Sequence, residues 1–324
     1  MFWATSSPFT RKRGRNSADS SKKEAVMSYR CVIVSNPAHI STRSEQLVVE
    51  TDERHTVPIE DISALMLESR RATLSAAALS ALAQNGTAVF VCDEKHLPCG
   101  VLLPYAQHSR QLAAARAQLS LTLPAKKRFW QQLVTAKIGN QAECLALCGK
   151  TQEAAFLHSR ARAVTSGDKD NLEAAAAAYY FPALFGTGFT RSADDGRNAA
   201  LNYGYAILRG YAARCAAVYG LLPWEGLHHC SQLNQYNLAD DLMEPFRPVV
   251  DLYVAANVDE ARTLAPALKH ALFGLMNADI LSGGQHHSVA YAMERLVQSL
   301  RTGMEKGGAL ALPKLLAWQP HGYE

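Results

Sequence analysis

A chain of 324 residues, 48% apolar and 19% charged, holds enough material for two ordered domains and lacks the composition of a disordered or fibrous protein. No run of about 18 apolar residues occurs and the first residues carry no apolar leader core, so neither a membrane span nor a secretory signal is expected. Seven cysteines, odd in number and scattered, fit a reducing cytoplasm better than a disulfide framework. The net charge of +4 is unevenly spread: +4 over 1–26, −3 over 27–103, +7 over 104–164 and −4 over 165–324.

Residues 1–26 are polar and basic without apolar periodicity and read as a disordered basic extension, with Met27 opening the folded part. From Tyr29 the segments YRCVIVS, EQLVVET, TVPIE and ISALMLES have the β-branched, turn-bounded look of short strands. ATLSAAALSALAQNG predicts a helix closed by Asn85-Gly86, after which TAVFVCD and CGVLLP return to strand. A free sheet edge is expected around TAVFVCD. Residues 27–103 are thus a small β-rich domain without a phosphate-cradling loop or a nucleophile elbow. At Pro104 the period turns helical and alanine becomes dense, through QLAAARAQLSL, KRFWQQLVTAKI, NLEAAAAAYYFPALF and HSVAYAMERLVQSL. The expected fold is α+β in two domains, with 104–324 a larger all-α domain.

The segment 104–164 carries nine Lys/Arg against two acids, densest at Lys126, Lys127 and Arg128. Such a stretch is either a polyanion-binding face or a solvated helix surface. The chemically richest cluster is Gly226-Leu227-His228-His229, followed by NQYNLADDLMEPFRPVVD. Asn237 suits an N-cap, and Asp240, Asp241 and Glu244 then crowd the next two turns. Asp240 has a bland role open to it as a first-turn acid favoured by the helix dipole. Glu244 lies deeper, immediately before Pro245, where capping gains little, and a divalent metal is the better reason for it. Either of the adjacent histidines is a candidate ligand. His286-His287 lacks an acidic neighbourhood and reads as structural. Cys144 and Cys148, four apart, have no second metal-binding pair near them and read as buried small residues.

The stretch from Gly226 to Asp251 resembles the signature of the CRISPR-associated integrase family, the nuclease subunit of spacer acquisition. Its Gly-x-x-His element is matched by Gly226 and His229. Its helix opening with a small polar residue and Leu is matched by Asn237 and Leu238, and its Asp-Leu-x-Glu-x-x-Arg by Asp241, Leu242, Glu244 and Arg247. Many members have Ser where this chain has Asn237. The resemblance extends from about residue 28 to the C-terminus and implies that His229, not His228, is the ligand. It implies Glu173 in NLEAAAAAYYFPALFG as the other acidic ligand, a residue that otherwise reads as a surface acid, with Asp241 a supporting ligand. LNYGYAILR (201–209) resembles a family helix that packs beside the site. The phrases MSYRCVIVSNPAHIS, NQYNLADDLMEPFRP and KRFWQQLVTAKIGNQ are most like the subtype that accompanies single-protein RNA-guided effectors.

One imidazole and two or three carboxylates suit Mg²⁺ or Mn²⁺. The family's chemistry implies direct transesterification, with the 3′-OH of a short DNA fragment attacking repeat DNA. No nucleotide hydrolysis is involved, and no Walker motif occurs. Glu173, His229 and Glu244 are then the catalytic residues. Lys126, Lys127 and Arg128 would hold DNA backbone, and Arg247 would either neutralise phosphate or pair with Asp251. The resemblance also implies double-stranded DNA substrates, a homodimer formed by the β-rich domain, and a small ferredoxin-like adaptation protein as partner. Other readings are a repair nuclease cutting branched DNA, a non-catalytic DNA-binding scaffold, and a zinc hydrolase on His228, His229 and Cys230. Three consecutive ligands converge poorly on one ion.

Overall fold

The computed structural model describes residues 2–4, 30–103, 110–261 and 263–322. Residue 1 and residues 5–26 of the expected extension, its expected end at Met27 and the boundary at Pro104 lie outside them. Phe2–Ala4 forms a strand, β1, antiparallel to β2 (Arg30–Val34).

The β-rich part is two sheets. The first has the order β1, β2, β6 (Ile62–Leu67), β8 (Ala88–Cys92), β9 (Pro98–Leu102), with β2, β6 and β8 parallel to one another. The second has the order β5 (Arg54–Pro58), β4 (Gln46–Glu50), β3 (His39–Arg43), β7 (Thr73–Leu74). The expected edge at TAVFVCD is therefore not one: β8 is interior, hydrogen-bonded to β6 and β9, and β9 is the edge. A parallel neighbour is the physical reason, because β6 and β8 are joined by the crossover helix α1 (Ala76–Asn85), not by a hairpin. Ser75 accepts from the Ala78 N–H at 3.2 Å to start α1, and Gly86 ends it in the left-handed region at φ 71°.

Strand alternation assigns each face of the first sheet to a different core. Val32, Val34, Leu65 and Val89 face the second sheet together with Ile40, Leu47 and Val57. Cys31, Ile33, Ala64, Met66 and Phe90 face the other way and join the core of the helical part. The two parts therefore share a continuous apolar boundary, and a sheet buried on both faces explains the near-continuous apolar reading of β2 and β6.

The helical part comprises α2 (Gln111–Leu119), α3 (Leu123–Leu147), α4 (Thr151–Ala163), α5 (Leu172–Phe185), α6 (Gly196–Val218), α7 (Asn237–Met243), α8 (Arg247–Asn257), α9 (Pro266–Gly274) and α10 (Val289–Lys306). It is helical but not wholly so. A small sheet of β10 (Asp279–Ser282), β11 (Gln285–Ser288) and β12 (Pro313–Lys314) lies near its C-terminus. The His286-His287 pair belongs to this hairpin, with His286 Nδ1 2.5 Å from Asp279 and His287 Nε2 2.6 Å from Arg295. None of the described helices is long and apolar enough to cross a membrane.

Helix α6 runs between the two parts. A Cβ at Gly204 would come within 2.5 Å of Val250 Cγ1, and one at Gly210 would overlap the Phe90 ring. Gly210 thus lets α6 approach the sheet. Gly210→Ala is expected to lower stability by about 1–3 kcal/mol, as overpacking does. Urea unfolding followed by circular dichroism checks this, and an unchanged midpoint refutes the close-approach account.

Candidate active site

The predicted acids come together where α3, the start of α5 and the α7–α8 junction meet. Glu173 stands in the first turn of α5. That helix is capped from upstream: Asp168 accepts from the N–H groups of Leu172 and Glu173, each at 2.9 Å. Glu244 stands at the junction. Pro245 offers no amide hydrogen, so α7 ends at Met243 and a 3₁₀ turn, Glu244–Phe246, leads into α8. The backbone of Glu244 stays in the right-handed helical region (φ −53°, ψ −45°), so proline tightens the helix here without expelling the residue.

Between the two glutamates lies a residue that sequence reasoning missed. Lys137 Nζ on α3 is 2.6 Å from Glu173 Oε1 and 2.5 Å from Glu244 Oε2. Arg247 donates to the other oxygen of Glu244 at 2.8 Å, and its guanidinium lies 4.1 Å above the Tyr205 ring. Burial pushes the Glu244 carboxyl up, but Lys137 and Arg247 outweigh it and hold the pKa at about 2. Behind Arg247, the hydroxyls of Tyr205 and Tyr180 donate to Asp251. Burial pushes Asp251 up to about 6 against those hydrogen bonds and Arg247.

The histidine comes from the loop between α6 and α7. Asp241 is fully buried and accepts from the backbone N–H of Leu227 (2.6 Å), His228 (3.1 Å) and His229 (3.2 Å). His229 Nδ1 is 2.7 Å from Asp241 Oδ1. This bond raises the imidazole's pKa against the opposing effect of burial. It also leaves Nε2 as the ring nitrogen available to a metal, as in carboxylate–histidine–metal arrangements. Gly226 is required by the same turn: a Cβ there would strike the His229 carbonyl and lie 3.0 Å from Asp241 Oδ2.

The structure shows what four of the predicted residues contact. Asp241 accepts from three amides and contacts an imidazole, so in this structure it positions His229. Asn237 does not cap α7; its buried amide donates to the carbonyls of Trp224 (3.1 Å) and Ser231 (2.9 Å), closing the histidine loop. Arg247 pairs with Glu244, not with Asp251, and is held inside the site. Lys126 is paired with Glu225 Oε1 (2.7 Å) and donates to the Gly226 carbonyl (3.2 Å). Arg128 is exposed and Lys127 half-buried, its stem against Gly167. Asp240 pairs with Arg209 at 2.6 Å and accepts from Asn234 at 2.7 Å.

The donors suit a divalent cation. Two carboxylates already converge on one positive centre, and Glu244 Oε2 is buried with an ion contact as its sole partner among the described residues. His229 supplies an oriented imidazole nearby. Among the described residues no three Asp, Glu, His or Cys side chains are yet close enough to enclose an ion. Lys137 holds the place between the acids.

A family model for CRISPR associated protein Cas1 matches residues 31–265. The chain is 42% identical over 304 residues, covering 92% of its length and all of the relative, to the CRISPR-associated endonuclease Cas1 of Neisseria meningitidis serogroup C. It is 31% identical over 255 residues, 74% of this chain and 86% of the relative, to a CRISPR-associated endonuclease Cas1 of Pyrobaculum aerophilum. Its fold is similar to a casposase bound to integration product (TM-score 0.70, 18% identity, 86% of this chain and 91% of that one). It is also similar to a Cas1 protein from Thermotoga maritima (TM-score 0.63, 14% identity, 86% and 98%). The chain is therefore a CRISPR-associated nuclease with a β-rich domain before a helical one, and it belongs to the Cas1 family. The resemblance read from Gly226 to Asp251 is borne out.

Without divalent metal, Lys137→Met would leave two buried or half-buried carboxylates facing each other and is expected to cost about 3–5 kcal/mol. Glu244 has a folded pKa below its unfolded value, so its stabilisation is present above about 4.5 and lost as pH falls toward 2. The span corresponds to about 3 kcal/mol. Urea midpoints in EDTA from pH 6 to 2.5 check both: Glu244→Gln should flatten the acid limb, and an unaltered limb refutes the assignment.

Proposed function

We propose that this chain inserts short DNA fragments into a CRISPR repeat array by metal-dependent transesterification. The supporting observation is the meeting of Glu173 and Glu244 around one cation beside a histidine whose tautomer is set by a buried aspartate, in a chain similar over its length to CRISPR-associated endonucleases. Glu173, His229 and Glu244 would hold the ion, Mg²⁺ or Mn²⁺ by the donor chemistry. Bound there, the ion supplies Lewis-acid polarisation of a phosphodiester.

In the reaction, the 3′-oxygen of the fragment forms a bond to phosphorus in the repeat strand, and the P–O3′ bond of that strand breaks. The proton lost by the attacking hydroxyl is balanced by one gained at the leaving 3′-oxygen. The number of phosphodiester bonds is unchanged, so no nucleotide need be hydrolysed. The protein's contribution is orientation. Asp241 fixes His229, Arg247 fixes one oxygen of Glu244, and Lys137 bridges the two acids.

The substrate is double-stranded DNA, supported by a solved relative described as bound to integration product. Exposed Arg128, with Lys127 and Lys126 beside it, would contact its backbone, and Arg247 would meet phosphate within the site. A second copy of the chain, joined through the β-rich domain with its free β9 edge, and a small ferredoxin-like adaptation protein are the proposed partners. Support for the latter is the similarity to a Cas1 within a solved Cas6-RT-Cas1–Cas2 complex.

Glu173→Gln, His229→Ala and Glu244→Gln should each lower joined product by about 100-fold or more while remaining folded. Asp241→Asn should cost about 10–100-fold as an orienting group. The assay is transfer of a labelled fragment into a repeat-bearing plasmid. Undiminished joining by Glu244→Gln defeats the site, whereas wild-type cutting without joining favours a repair nuclease.

A further inference from the structure

His228 is not used by the site as described, yet its geometry is unusually well determined. Its imidazole lies flat on the Trp130 indole, with centroids 4.2 Å apart and planes 2° from parallel. Trp130 is 1% exposed and sits on α3, one turn beyond Lys126. It also meets the His229 ring edge-on at 5.8 Å, and the two imidazoles stand at 84° to each other, 5.6 Å apart. The backbone of His228 is held as well, since its N–H donates to Asp241 at 3.1 Å. Ring and main chain are thus both fixed by buried groups.

The outer part of this side chain is exposed, and neither ring nitrogen has a hydrogen-bond partner among the described residues. Other histidines of the fold are engaged through a ring nitrogen: His39 with Thr73, His229 with Asp241, His270 with Ser35, and His286 and His321 with Asp279. An exposed polar edge held rigid beside the candidate ligand His229 has already given up the rotamer freedom that binding would otherwise cost.

We propose that His228 donates a ring N–H to a non-bridging phosphate oxygen of the DNA strand seated at the site, next to the phosphodiester that reacts. The proposal rests on the reading of the site as a DNA-joining centre. A neutral imidazole always carries one N–H, so the contact requires no change of charge. Trp130 supplies the plane in which that donor is held, and the phosphate supplies the acceptor that none of the described residues provides.

The test measures affinity by fluorescence anisotropy in EDTA, using the full chain and a branched duplex that represents a fragment joined to one repeat strand. His228→Phe keeps the stack on Trp130 and removes the donor; it should bind about tenfold more weakly than wild type. A scan of single methylphosphonates around the branch should find one position that weakens wild type by a similar factor. At that position the Phe variant should lose nothing further, because the two changes remove the same contact. If His228→Phe does not fold, the same scan with His228→Ala decides. Wild-type affinity in His228→Phe overturns the proposal and reveals a packing or base-stacking role. Losses that multiply independently at every position overturn it as well. A wild-type chain that neither binds the branch nor joins strands overturns the underlying function and this contact with it.

Discussion

Lys137 between Glu173 and Glu244 is the contact on which the rest of the site depends. Two carboxylates that both reach one ammonium stand within about 5 Å of each other, and at an effective dielectric near 20 their repulsion is about 3 kcal/mol. The fold accepts this because a buried cation lies between them and Arg247 takes the outward oxygen of Glu244. The three charged groups come from α3, α5 and the α7–α8 junction, so the ion contacts fix the angles among those elements. The same demand for positive charge between acids is what a divalent metal would answer.

Helix α3 works as the spine of this arrangement, and one stripe of its surface does most of the work. Lys126 holds the Glu225 carboxylate and the Gly226 carbonyl, Trp130 supports both histidine rings, Lys137 joins the acids, and Asn140 donates to the carbonyls of Pro245 (2.7 Å) and Pro313 (3.1 Å). Positions 126, 130, 133, 137 and 140 follow helical spacing, so the stripe is continuous. Its charges made the segment look like a DNA track, but two of the lysines face inward and serve the site. Net charge along a chain records how many ions are present and not which side of a helix they occupy.

Much of this was legible in the sequence, and the illegible part has a common cause. The strands at Arg30–Val34 and Gln46–Glu50, the helix closed by Gly86 and the crowding of Asp241 and Glu244 all follow from neighbours in the chain. Glu173 is legible only through family resemblance, since nothing adjacent marks it, and nothing in the sequence marks Lys137 as its partner. Both belong to a contact between distant segments. Asn237 illustrates a subtler failure: its type and place fit an N-cap, yet the closure of the histidine loop claims its amide. The interior position of β8 was equally hidden, because strand order is set by the α1 crossover and by burial on both faces.

The shared boundary between the two parts carries a further consequence for the site. Phe90 of the sheet packs edge-on against Phe273 of α9 at 6.0 Å and against Gly210 of α6. Glu68 of the β-rich part receives Ser35 at 2.6 Å and Lys269 of α9 at 3.3 Å. Helix α6 is therefore bound on one side to the sheet and on the other, through Gly204, to α8, whose first residue is Arg247. Tyr205, between those glycines, stacks on Arg247 and donates to Asp251. The packing is therefore continuous from the sheet through α6 to the helix that carries Arg247, the partner of Glu244. The β-rich domain thus backs the helices that carry the site, although among the described residues it contributes none of the site's charged groups.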